Sequence, residues 1–151
     1  MELDDHVHAE IERLTRSGDA FAEQGNFPNA LSEYWKAFDL LPEPKTDWEA
    51  ATWILGAIGD ANFLGKDFQA GVDNLSSAMH CPGAIGNPFL HLRLGQCRFE
   101  TGNLERAADE LARAYALEGE DIFAIDDPKY FEFLKTRIEI EPPRKKPWWK
   151  F

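Results

Sequence analysis

The feature that most constrains this chain is a set of small residues that recur at long, nearly regular intervals. They fall into two matched sets, which are Gly18, Gly59 and Gly95, and Ala30, Gly71 and Ala107. Small side chains at paired positions let two antiparallel helices approach closely, while bulkier neighbours fill the space beside them. The pattern therefore predicts an all-α chain built from helical hairpins.

The stretch 18–42 shows one complete unit of this pattern. It runs from a glycine through the turn Gly25-Asn26 to an alanine, two aromatic residues and Pro42. This order and spacing resembles the tetratricopeptide repeat (TPR), a helix–turn–helix unit of about 34 residues. The intervals here are longer, at 41 residues from Gly18 to Gly59 and 36 from Gly59 to Gly95. The resemblance implies a right-handed α-solenoid of three hairpins, over residues 11–44, 52–85 and 88–121.

Helix boundaries follow from capping signals. Asp4 or Asp5 begins the first helix, and Asn26 and Asn87 cap helices whose first turns carry a proline. Thr46 and Glu49 have the spacing of a capping box, which predicts an early start for the third helix. A last helix over 127–138 would cover the open apolar face of the solenoid. The predicted domain is therefore 1–141.

The tail at 142–151 contains three prolines and no helical period, which predicts extended structure. Its aromatic residues are Trp148, Trp149 and Phe151, and they follow a basic stretch. Two interpretations remain open. The aromatic side chains pack against the last helix, or they contact an acidic groove that belongs to this chain or to a partner.

Charge limits the classes of partner. The net charge is −11, all 27 acidic residues lie at or before Glu141, and four of the 16 basic residues follow it. Such an acidic body repels phosphate backbones, so we expect no nucleic-acid partner, and it attracts basic proteins. No apolar run is long enough to span a bilayer, and we expect no membrane partner. We expect a cytoplasmic monomer or weak dimer, since Cys81 and Cys97 suggest no disulfide framework.

The TPR resemblance also implies a binding surface, because the first helices of successive units line a concave face. Ten residues match its positions: Glu12, Asp19, Glu23, Trp53, Asp60, Phe63, Phe89, Arg93, Gln96 and Phe99. TPR proteins that bind chaperones hold a peptide carboxylate with Lys, Asn and Arg here, whereas this chain has Asp19, Asp60 and Gln96. The predicted partner is basic or of mixed charge. The alternative is that Trp53 and Phe63 pack in the core and that the carboxylates are merely solvated.

No residue pattern indicates catalysis, a metal or a cofactor. The set His80, Cys81, His91 and Cys97 lacks the spacing of a structural zinc site. The glycines lack the lysine and the strand that accompany phosphate-binding loops. The predicted function is therefore protein binding without enzymatic activity.

A second resemblance suggests which kind of protein binding. The segments PKTDW at 44–48 and DDPKYFEFLK at 126–135 are similar to those of small stand-alone TPR-like proteins found at bacterial polymorphic toxin loci. This resemblance implies an immunity protein, or antitoxin, that occludes a toxin domain. The alternative is an adaptor or secretion chaperone that holds an extended peptide in the groove.

Overall fold

The computed structural model describes residues 2–140, and this part of the chain is helical throughout, with no strand. The helices are α1 (Asp5–Glu23), α2 (Phe27–Asp39), α3 (Glu49–Leu64), α4 (Phe68–Ala78), α5 (Pro88–Glu100), α6 (Leu104–Glu118) and α7 (Lys129–Lys135). Short 3₁₀ turns lie at Lys45–Asp47 and Glu120–Phe123. The predicted tail at 142–151, with Trp148, Trp149 and Phe151, lies outside the described residues.

The small residues hold the hairpins α1–α2, α3–α4 and α5–α6 together, as predicted. A Cβ atom added to Gly18 would lie within 3.0 Å of the Tyr34 ring. The equivalent atom on Gly59 would meet Leu75, and on Gly95 it would meet Leu111, at similarly short distances. Any larger side chain at these three positions would therefore push the two helices of its hairpin apart.

Side chains that accept hydrogen bonds from backbone N–H groups fix most of the helix starts. Asn26 accepts from the amide of Asn29, and Asn87 accepts from the amides of Phe89 and Leu90. Both caps were predicted. Such caps satisfy N–H groups that have no partner within the helix itself.

The predicted capping box at Thr46 and Glu49 was wrong. Thr46 lies in the first 3₁₀ turn, and Trp48 occupies the cap position of α3 without a side-chain bond. The link instead folds back on α2, because the indole Nε1 of Trp48 donates to the carbonyl of Pro42 at 2.8 Å. Lys45 Nζ also donates to the carbonyls of Asp39 and Leu41, near the end of α2. Glu49 is thereby left free of a capping role.

The helix α7 covers the far end of the hairpin stack. Tyr130 and Leu134 are buried against a cluster that includes Leu92, Leu111 and Phe123. The helix ends at Lys135, three residues before the predicted Ile138. No helix of the described residues is long and apolar enough to cross a membrane.

Candidate functional site

A hollow of about 370 Å³ opens between α3, the link that follows α4, and the start of α5. One face of α3 supplies most of its wall, because Glu49, Trp53 and Asp60 follow one another at helical spacing. The remaining lining residues are Thr52, Gly56, Ala57, Pro82, Gly83, Asn87, Phe89 and Leu90. The link is anchored beside this hollow, since the hydroxyl of Thr52 donates to the carbonyl of Pro82 at 2.7 Å.

A second hollow of about 390 Å³ lies on the other side of Trp53, towards the N-terminus. It shares Glu49 and Trp53 with the first, and its further lining residues are Glu2, Leu3, Asp5, His8, Trp48 and Ala50. We call the two hollows together the Trp53 groove. The side chain of Trp53 is 43% exposed and stands between them. Both hollows of the groove therefore border the same large aromatic side chain.

The Trp53 groove is acidic. Its lining residues include Glu2, Asp5, Glu49 and Asp60, and no lysine or arginine from residues 2–140 lines it. His8 lies against Glu12, with the two side chains 3.1 Å apart. In this geometry the groove attracts cations and repels anionic ligands.

Next to the groove lies the Arg93 cluster, which we define as Asp60, Phe63, Phe89, Arg93, Gln96 and Asp126. Arg93 Nε donates to Asp60 at 2.7 Å, and its Nη1 donates to Gln96 and Asp126 at 2.8 and 2.9 Å. The guanidinium carbon lies 4.4 Å from the ring centroid of Phe63 and 4.9 Å from that of Phe89. The cation is thus sandwiched between two rings and paired with two carboxylates.

This cluster changes the position of two predicted surface residues. Arg93 is 4% exposed and Gln96 is 0% exposed, so both lie beneath the concave face. The amide nitrogen of Gln96 donates to Asp126 at 2.8 Å. Their polar groups serve an internal network that ties the segment after α6 to α3 and α5.

Two of the predicted carboxylates of α1 have partners within the first hairpin or on α1 itself. Asp19 accepts a hydrogen bond of 2.6 Å from the hydroxyl of Tyr34. Burial raises the pKa of Tyr34, and this hydrogen bond and the nearby charges of Asp19, Asp60 and Glu23 raise it further. Glu12 is an exposed partner of Arg16 as well as of His8.

The remaining predicted aromatic residue belongs to the C-terminal core. The ring of Phe99 packs edge-on against Tyr130 and Phe133, with centroids 5.5 and 5.1 Å apart. Of the predicted aromatic residues, Trp53 and Phe89 line the groove, while Phe63 lies in the cluster and contacts Tyr130. The structure therefore divides the predicted set among groove, cluster and core.

Sequence reasoning missed two contributors. Glu49 precedes Trp53 by four residues, a spacing that places both on one helix face, but it was assigned to a capping box. Asp126 closes the Arg93 cluster from 33 residues away in the chain. No local pattern signals a contact at that separation.

Known proteins resemble this chain in their three-dimensional structure, and the similarity therefore concerns the fold. No family model and no curated protein matches the sequence. The second TPR domain of human RPAP3, in complex with an HSP70 peptide, aligns with a TM-score of 0.67 at 14% identity, covering 86% of this chain and 96% of that one. The chain has the TPR fold.

Other solved TPR domains agree. The first TPR domain of Spaghetti (RPAP3), bound to an HSP90 peptide, aligns with a TM-score of 0.66 at 20% identity, covering 85% of this chain and 90% of that one. The Arabidopsis OM64 TPR domain gives the same TM-score and identity, with 86% and 96% covered. At these identities the TPR likeness establishes architecture and leaves the ligand open.

No metal-binding group of three or more His, Cys, Asp or Glu residues occurs between residues 2 and 140. Cys97 is fully buried beside Gly71, and burial raises the pKa of its thiol to about 12. A thiol in this environment stays protonated at neutral pH and acts as a small apolar residue.

Proposed function

We propose that this chain is a protein-binding module, and specifically an immunity protein that neutralises a cognate bacterial toxin by covering it. One observation carries the proposal: Trp53 is 43% exposed in the middle of a preformed acidic groove. Tryptophans in such positions contribute a disproportionate share of the binding energy at protein interfaces. The module acts as a monomer or weak dimer in the cytoplasm.

The charge of the groove favours a basic or mixed-charge partner. Two TPR domains of similar fold are bound to peptides that end in the acidic sequence EEVD. In this chain the concave wall carries Asp19, Asp60 and Glu49, which would repel such a peptide. A basic surface would instead be drawn in by long-range attraction, which raises the association rate.

The segments that resemble proteins of toxin loci both contribute to this face. PKTDW forms the folded link whose Trp48 lines the groove. DDPKYFEFLK begins with Asp126, which holds Arg93, and continues into α7. The resemblance therefore concerns residues that shape the surface, and occlusion of a toxin requires such a preformed surface.

A second candidate function is an adaptor that binds an extended peptide. It is favoured by the similar TPR domains of RPAP3 and Spaghetti, which were solved with short peptides bound. The affinity for the partner distinguishes an immunity protein from an adaptor. We expect dissociation constants of about nanomolar for one folded toxin domain, and about micromolar for an extended peptide.

Co-expression tests the immunity function. The protein encoded next to this chain in its genome is expressed in a bacterial host, alone and together with the chain. We expect growth to stop in the first case and to recover in the second, with recovery lost for Trp53→Ala. A neighbouring product that is harmless, or that stays toxic when both proteins accumulate and fold, would contradict the immunity function.

A further inference from the structure

We infer that the Trp53 groove recognises an arginine side chain of the partner, stacked on the Trp53 indole and paired with Glu49, which precedes Trp53 by one helical turn. This inference rests on the proposed function and names the chemistry that the groove selects. It is carried by two observations, the internal arginine site next to the groove and the residues that the groove leaves unused.

The Arg93 cluster shows how this fold holds a guanidinium. Two aromatic rings lie on the cation at 4.4 and 4.9 Å, and carboxylates accept its N–H groups from the side. A planar guanidinium suits this arrangement, because its faces stack on rings while its edges donate hydrogen bonds. The arrangement requires only aromatic rings and carboxylates placed close together.

The Trp53 groove contains the same components without the cation. Asp60 uses Oδ1 to bind Arg93 Nε, and its other oxygen has no partner among residues 2–140. Glu49 forms no ion pair within this part of the chain, although it lines both hollows beside Trp53. Phe89 borders the groove as well as Arg93. A second guanidinium would therefore meet rings and carboxylates that are already in place.

The floor of the first hollow suits the apolar stem of an arginine. It is formed by Gly56, Ala57 and Leu90. A Cβ atom on Gly56 would lie 2.9 Å from Leu90, so glycine at this position lets Leu90 pack directly against α3 and complete the apolar floor. Long basic side chains bury their methylene groups on such surfaces while the charged head reaches polar groups.

Arginine fits better than lysine for two physical reasons. An ammonium group is more strongly hydrated than a guanidinium, and it cannot stack its face on an indole. A guanidinium can also donate two parallel N–H groups to the carboxylate of Glu49. The groove therefore discriminates between the two basic side chains.

Amino-acid analogues test the inference on the full chain without a partner. The probe is N-acetyl-arginine amide, followed by NMR through the indole N–H of Trp53, which is assigned by its loss in Trp53→Phe. We expect a saturable shift with a dissociation constant of about millimolar, as suits so small a ligand. N-acetyl-lysine amide should bind about fivefold more weakly, and the uncharged N-acetyl-citrulline amide should cause no saturable shift. The indole of Trp35, on α2 and outside the groove, serves as an internal control.

A matched pair of variants identifies the carboxylate. Glu49→Gln should raise the dissociation constant of the arginine analogue about fivefold, because it removes one negative charge from the groove. Glu118→Gln removes an equally exposed charge at the end of α6 and should leave binding unchanged. Equal effects of the two variants, or equal binding of arginine and lysine analogues, would overturn the inference.

The outcomes also separate this inference from the proposed function. A toxin whose neutralisation requires Trp53, combined with a groove that ignores the arginine analogue, would refute the inference and leave the function standing. A groove that selects arginine in a chain that neutralises no toxin would refute the function alone. If the analogue binds only after Arg144, Lys145 and Lys146 are changed to glutamine, the occupant is the chain's own tail, and a partner's arginine is refuted.

Discussion

In the Arg93 cluster, aromatic rings and carboxylates surround a cation that the chain supplies itself. In the adjoining Trp53 groove, rings and carboxylates of residues 2–140 border an open hollow. The two regions even share Asp60 and Phe89. Their side-chain chemistry is alike, and what differs is whether residues 2–140 provide a cation to pair with it.

This difference shows that residue type alone does not reveal whether a carboxylate is already paired within the fold or is free to bind a ligand. Asp126 arrives from the segment between α6 and α7 and, with Asp60, neutralises Arg93. Glu49 lies beside the N-terminal segment, but no side chain of residues 2–140 forms an ion pair with it. The charges of the Arg93 cluster are therefore paired within the fold, whereas the charge of Glu49 is not.

The largest expected effect comes from removing the cation of the cluster. Arg93→Leu should lower the free energy of unfolding by about 3 kcal/mol or more, because it leaves the carboxylate of Asp126 buried without its partner. Urea denaturation measures this loss.

Arg98→Leu, on the same helix, is the matched control. Arg98 is only partly buried and makes one long contact of 3.4 Å to Ser76, so we expect a change within about 0.5 kcal/mol. Similar losses in the free energy of unfolding for the two variants would show that Arg93 stabilises the fold no more than Arg98 does.

Truncating the groove's aromatic residue should affect binding more than folding. We expect Trp53→Ala to weaken partner binding by about 2 kcal/mol, because it removes the central anchor of the groove. Titration calorimetry with the identified partner measures the change. Trp35→Ala removes a comparably exposed indole from α2 and should leave affinity unchanged. Equal losses would place the interface elsewhere.

Salt should slow association with the partner. Since the groove is acidic and exposed, raising ionic strength from about 0.05 to 0.5 M should lower the association rate constant roughly tenfold. The dissociation rate constant should change little. Stopped-flow measurements distinguish the two, and an association rate that is independent of salt would remove the electrostatic argument.

The smallest expected effect is the dependence of stability on alkaline pH, which should be similar for Tyr34 in the first hairpin and Tyr130 in α7. Burial raises the pKa of Tyr34 and of Tyr130, and each phenol also donates to a carboxylate, Asp19 or Glu100. The folded state therefore retains these protons above the unfolded value of about 10. Their contribution to stability is complete below about pH 10 and is lost as pH rises through the folded pKa values.

Denaturation between about pH 9 and 11 tests this linkage. The free energy of unfolding should fall as pH rises, and Tyr34→Phe or Tyr130→Phe should each reduce the slope by a similar amount. A slope unchanged in one variant would mean that its phenol ionises alike in both states. The dependence of the free energy of unfolding on pH would then differ between the surroundings of Tyr34 and those of Tyr130.

Much of the fold could be predicted from local patterns. Gly18, Gly59 and Gly95 indicated the hairpins because close packing leaves no room for larger residues. Asn26 and Asn87 indicated helix starts because capping involves only neighbouring residues. The capping box predicted from Thr46 was wrong, although such a box also involves only neighbouring residues. The contacts of Trp48 and Lys45 with the end of α2 determine the conformation of this link instead.

The candidate site was only partly predictable. The TPR resemblance selected Trp53 and Asp60 on α3, and both residues line the same hollow. The same reasoning placed Arg93 and Gln96 at the surface, because it considers one helix at a time. Their burial depends on Asp126, and a contact between residues 33 positions apart leaves no periodic trace.

The amino-acid sequence by itself determined the helices, their pairing into hairpins and the acidic charge of the body, since these depend on short-range spacing and on composition. Only the tertiary structure decided which carboxylates and aromatic rings are already engaged and which remain free around Trp53. The physical reason is that hydrogen bonds and ring contacts are satisfied by whichever groups the folded chain brings together, irrespective of their distance in sequence.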